Sequence, residues 1–149
     1  MKTELIQIGL TAKQADSKQT LAKPMKLSLL ILLLCTTASA ADFAQFTRAV
    51  HLVETSGRTG PILGDGGRAL GPLQIHRGCW QDSRVGGRYE DVADLAVATA
   101  VLRAYLTRYA PRALAAEDWT TCARVWNGGP RGASKAATVG YAMRVVGRL

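Results

Sequence analysis

With two His, three Cys and 11 carboxylate side chains in 149 residues, the sequence is short of the groups on which much enzyme chemistry is built. His51 and His76 are far apart, and neither has a second His or a Cys at ligand spacing, which argues against a metal centre. There is no G-x-S-x-G motif and no P-loop, so a nucleophile elbow and a phosphate cradle are excluded. The longest apolar run, Leu27 to Cys35, falls well below the roughly 20 residues that cross a bilayer. Carboxylates are outnumbered by 19 Lys plus Arg, a net charge of +8, and 48% of residues are apolar. A disordered acidic tail, a collagen-like repeat and a multi-domain enzyme are all incompatible with that balance.

What is present begins with an export pattern. Met25-Lys26 precedes the apolar run, and Ala38-Ser39-Ala40 follows it as a small-residue cleavage site, so residues 25–40 read as a signal peptide cut after Ala40. A secreted or periplasmic location is the expectation. Residues 1–24 are polar and aperiodic, either an N-terminal extension or a sign that translation starts at Met25. Leu34 is too bulky for the position before a lipidated Cys35. The mature domain is then 41–149, with fourteen cations, thirteen of them Arg, against nine carboxylates. Such a domain is drawn to anionic surfaces. Its Arg residues are scattered rather than interleaved with stacking aromatics, which disfavours nucleic acid. No stable membrane insertion is expected once the signal is removed, and the domain should be a monomer. Outside the cell, Cys79 and Cys122 are expected to form a disulfide, closing a loop of about 43 residue steps and contributing roughly 4 kcal/mol. Two separately buried thiols are the alternative.

Asp42 can cap a helix in which Phe43, Phe46, Val50 and Val53 recur on one face, ending near Ser56-Gly57. From Ser56 to Pro72, six glycines and two prolines predict a shaped loop or a small β element. A short helix is predicted over 73–81 and a turn over 84–89. Asp91, with Asp94 three residues on, predicts the start of a long central helix that Pro111 stops. Glu117 and Asp118 open another helix ending at Asn127-Gly128, and a last one is predicted over 134–146. The fold class is mainly α (α+β).

Carboxylates are the remaining candidates for chemistry. Glu54 ends an apolar helical face, where partial burial favours its protonated form and makes it a candidate general acid. Asp65 follows eleven residues later among glycines that let the backbone turn back. One carboxyl on a helix end and one on a turn suit glycosidic bond cleavage. The bland alternative is a salt-bridged Glu54 and an Asp65 that holds a turn.

Four ordered motifs then stand out: Glu54-Thr55-Ser56-Gly57; Gly71-Pro72-Leu73-Gln74-Ile75 followed by Trp80; Ala123 to Gly132 (A-R-V-W-N-G-G-P-R-G); and Gly140-Tyr141. Together they resemble the lysozyme superfamily, most closely the invertebrate-type (destabilase-like) lysozymes and more distantly the soluble lytic transglycosylases. The resemblance implies a lysozyme-like fold with a cleft between the Gly-rich β region and the helices. It implies a muramidase acting on peptidoglycan strands without a cofactor, with Glu54 as catalytic acid and Asp65 near the second carboxylate. Gln74, His76, Trp126, Asn127, Gly128 and Tyr141 become candidate substrate-binding residues, Tyr141 matching an aromatic that lies beside the transglycosylase Glu. Three departures qualify the likeness. The mature chain can make one disulfide where the invertebrate-type enzymes make many. Trp126 stands where they carry His. Thr55 replaces the Ser that follows the transglycosylase Glu, which tilts the reading toward hydrolysis over transglycosylation or a catalytically silent wall-binding module.

Overall fold

The computed structural model describes residues 43–149. The export signal, residues 1–24, Cys35 and the Asp42 cap lie outside the described residues.

Helix α1 spans 43–55 and buries Phe43, Phe46, Ala49 and Val50, the face that the three-and-four spacing predicts. It ends where Ser56 (φ 56°) and Gly57 (φ 79°) turn left-handed. Their N–H groups close on the carbonyls of Leu52 and His51.

The Gly-rich stretch forms a small antiparallel sheet of β1 (Leu63–Gly64), β2 (Ala69–Leu70) and β3 (Ile75–His76), in that order. Gly64 pairs with Ala69, and Ala69 with His76. A 3-10 turn, Asp65–Gly67, joins β1 to β2. Gly71 (φ 81°) approaches the neighbouring chain so closely that a Cβ would collide with the Val92 carbonyl, so no other residue fits.

Helix α2 runs Arg77–Ser83, later than the predicted 73–81. The reason is Gln74. It adopts φ 50°, and its side-chain Nε2 donates to Ile62 O (3.2 Å) and Gly71 O (2.9 Å), locking a turn before the β2–β3 pairing. The expected turn after α2 is present, opening with Arg84 at φ 57°.

The central helix, α3, begins at Leu95 rather than at Asp91. Asp94 is its cap, with Oδ1 accepting from the N–H groups of Ala96 (2.7 Å) and Val97 (3.0 Å). Asp91 instead accepts from Arg88 N (2.8 Å), opening a 3-10 turn over Tyr89–Ala93. Helix α3 continues to Tyr109 and buries Ala98, Val101, Leu102, Tyr105 and Leu106. Pro111 ends it and also starts the short α4 (Pro111–Ala115), where a missing N–H costs nothing. Helix α5, Trp119–Gly128, is capped by Asp118, whose Oδ1 accepts from Thr121 N at 2.9 Å. Helix α6 is Val139–Val146, five residues later than expected. The delay comes from two 3-10 turns anchored by Thr138, whose hydroxyl lies 2.8 Å from Gly132 O and accepts from Arg124 Nε on α5.

One core joins these elements, with α2, α4 and α5 all packed on α3 and α6 packed on α5. Trp119 stacks on Phe46 with ring centroids 4.9 Å apart, which makes it a core residue. Cys79 and Cys122 are both free thiols, correcting the expected disulfide. They sit on different helices, α2 and α5, each packed on α3, and burial pushes each thiol up to about 12. An even cysteine count in an oxidising compartment says nothing of the distance between side chains, and that distance decides pairing.

Candidate active site

The C-terminal end of α1, the sheet and the end of α5 enclose a cleft of about 300 Å³ lined by Glu54, Asp65, Gln74, His76, Trp126 and Asn127, with Ala69, Ile75 and Cys79 completing its wall. Six of the eight residues singled out from the sequence thus share one concavity.

Glu54 is half-buried in the last turn of α1. The Tyr141 hydroxyl on α6 donates to its Oε1 at 2.6 Å. Burial raises the Glu54 carboxyl above its ordinary 4.5, against the Tyr141 hydrogen bond, the Arg144 cation and the Trp126 side chain, which all favour the ionised form. Tyr141 is itself buried and held well above 10, chiefly by burial and then by the Glu54 charge, so it remains a neutral donor.

The end of α1 is fixed by its neighbours. The buried His51 donates from Nε2 to Arg58 O (2.8 Å), and the buried Thr55 hydroxyl lies 3.0 Å from Pro72 O. His51 is therefore a structural histidine, and Thr55 ties the Glu54 turn to the Gly71-Pro72 motif.

Asp65 is exposed on its turn with φ 49°. Its Oδ1 accepts from the Arg68 guanidinium at 2.7 Å, and its Oδ2 lies 3.3 Å from His76 Nε2. Gln74 lines the cleft, but both its contacts from Nε2 go to backbone carbonyls, so its amide nitrogen braces the loop. Trp126 packs edge-on against Tyr105 (5.9 Å) and lines the cleft beside the exposed Asn127. Gly128 is not on the cleft wall; a Cβ there would meet Thr138, so it serves the packing of the segment before α6. Tyr141 is not on the cleft wall, and its hydroxyl reaches the cleft residue Glu54. Trp80 packs against Tyr89 and the core, away from the cleft.

Arg144 was not singled out from the sequence. It lies one helical turn beyond Tyr141, with its guanidinium 5.8 Å from the Tyr141 ring centroid, and that spacing was the available signal. Among the described residues no group of three or more His, Cys, Asp or Glu could hold a metal ion. The arrangement places one carboxyl that burial shifts toward its protonated form and a second, exposed carboxyl beside Arg68 and His76 on a common space.

No family model matches the chain. It is 38% identical over 79 residues to Lysozyme 1 of Crassostrea virginica, an alignment covering 52% of this chain and 43% of that protein. The chain thus spans less than half the length of that relative. A chain in the crystal structure of Aeromonas hydrophila PliI in complex with Meretrix lusoria lysozyme superposes with a TM-score of 0.58 at 28% identity, covering 68% of this chain and 85% of that one. Motif order, fold and both comparisons point the same way: the chain is similar to the invertebrate-type lysozymes and has a mainly α, lysozyme-like fold.

Proposed function

We propose that the protein is an exported muramidase that hydrolyses the β-1,4 bond between N-acetylmuramic acid and N-acetylglucosamine in peptidoglycan. The observation that carries this reading is the pairing in one cleft of a carboxyl that burial shifts toward its protonated form, Glu54, with a turn-borne carboxyl, Asp65. Glu54 donates its proton to the glycosidic oxygen as the C1–O bond breaks, releasing the N-acetylglucosamine 4-hydroxyl. The cation at C1 is stabilised or trapped by Asp65. Water then adds to C1 and returns a proton to Glu54. Trp126 and Asn127 offer the apolar face and the amide that sugar rings and acetamide groups require. No cofactor enters the scheme.

A second reading is favoured by the surroundings of Asp65, whose Oδ1 already accepts from Arg68 and whose Oδ2 lies 3.3 Å from His76 Nε2. In it Glu54 acts alone, as in a lytic transglycosylase, and the sugar's 6-hydroxyl attacks C1 to leave a 1,6-anhydro end.

Digestion of purified peptidoglycan by the native protein, Glu54→Gln and Asp65→Asn, with products read by mass, separates these. Hydrolysis gives reducing ends, reduced by about 100-fold or more in Glu54→Gln and strongly reduced in Asp65→Asn. Anhydro ends, lighter by one water and surviving Asp65→Asn, establish the second reading. Wall lysis undiminished in Glu54→Gln rules out acid catalysis by this residue.

A further inference from the structure

We propose that His76 is a positioning residue for the Asp65 carboxylate, setting turnover rather than substrate affinity. This rests on the two-carboxylate reading above and deepens it. Gly64, Ala69 and His76 lie directly opposite one another across β1, β2 and β3. Residues so paired share a face of the sheet. Asp65 follows Gly64 at the end of this row; Ala69 carries only a methyl, while the space beside Gly64 is taken by the Gln74 side chain. His76 can therefore reach over Ala69 to Asp65, and its Nε2 lies 3.3 Å from Oδ2.

Asp65 has little else to hold it on that side. Its backbone is in the left-handed region, and two glycines follow it in the 3-10 turn. Arg68 takes Oδ1 at 2.7 Å and also donates from Nε to the Asp65 carbonyl at 3.1 Å, but Arg68 is not on the cleft wall. His76 is on that wall, so the contact with Oδ2 is the one made from the cleft side. A carboxylate held at one oxygen can still swing about its side-chain torsion. Contacted at both, its plane and its charge are restricted. Charge stabilisation at C1 depends on that placement, because small displacements of a catalytic group are costly. The sequence motif places His76 just beyond Gln74, where a sugar contact is the simpler reading; the observed partner is instead the second carboxylate.

The test is steady-state hydrolysis of soluble peptidoglycan fragments by the purified protein and by His76→Ala, His76→Gln, Asp65→Asn and the His76→Ala/Asp65→Asn double variant. The expected result is a fall in kcat of about tenfold in His76→Ala, the loss of the imidazole contact that places the carboxylate, with KM within about twofold of the native value. His76→Gln should recover most of the loss, because its amide N–H reaches the same oxygen. The double variant should be no slower than Asp65→Asn. A rise in KM at unchanged kcat assigns His76 to sugar binding and overturns the proposal, as do independent effects of the two substitutions. A readout without turnover keeps the proposal separate from the muramidase reading. NMR couplings of the Asp65 side chain should report one rotamer in the native protein and averaging in His76→Ala. A single rotamer in both overturns the positioning role whatever the activity, whereas Asp65→Asn at full activity refutes the two-carboxylate reading on its own.

Discussion

Glu54 is subject to two opposing influences. Burial favours its protonated form, and the hydroxyl of Tyr141 at 2.6 Å favours its ionised form, with burial the larger. Removing the donor by Tyr141→Phe leaves burial less opposed, so the carboxyl is expected to hold its proton to higher pH. In a mechanism whose active form is protonated Glu54, the alkaline limb of the pH profile of kcat/KM then moves upward. A profile measured across pH 4 to 9 for native and Tyr141→Phe protein checks this. A limb that stays in place or moves downward contradicts the assignment of that limb to Glu54. The place of Glu54 at the end of a partly buried helical face was legible in the sequence because it is a local feature. Its hydroxyl donor comes from 87 residues away, and only the motif resemblance pointed to it.

At the scale of elements, helix starts are decided by which carboxylate reaches which N–H. Asp118 caps α5 through Thr121, whose hydrogen bonds to it hold its carboxyl below the ordinary 3.8. Asp118→Ala is expected to lower stability by about 1 kcal/mol at neutral pH. Because the folded-state value is depressed, the native advantage is present above about pH 3.9 and disappears as pH falls through the folded-state value. Urea unfolding of both proteins at neutral pH and at a series of acidic pH values tests this. A gap that persists unchanged through the acid range contradicts it. The same logic accounts for the displaced start of α3. Asp91 and Asp94 are spaced as a box, but Asp91 serves the 3-10 turn behind it, and Asp94 caps alone. Helices α2 and α6 begin late for a related reason, since Gln74 and Thr138 spend their side chains on backbone carbonyls and stabilise turns where periodicity alone reads as helix.

Over the whole molecule, the absence of the Cys79–Cys122 bond leaves stability to packing around α3, where Leu102 and Leu106 are fully buried with Phe46, Leu73 and Ile75. Both thiols are pushed up to about 12 and stay protonated at neutral pH, which slows their oxidation. Purified without reductant, then denatured and alkylated, the protein is expected to carry the label on Cys79 and on Cys122, as read by peptide mass. Recovery of a linked pair of peptides would restore the disulfide. Among the described residues no helix is long and apolar enough to cross a membrane. The basic surface is consistent with the anionic wall polymer proposed as substrate.

The sequence by itself determined the buried face of α1, the Gly-rich β region behind it, the central helix and its stop at Pro111, and Glu54 as the acid candidate. These follow from periodicity, breakers and caps, which act over a few residues. Only the tertiary structure decided that Cys79 and Cys122 are unbonded, that Gln74 braces a loop, that Gly128 lies off the cleft wall, and that Arg68 and His76 face different oxygens of Asp65. Each of those depends on strand register or on the packing of helices against one another, and a distance between side chains remote in the chain is set only once the core has formed.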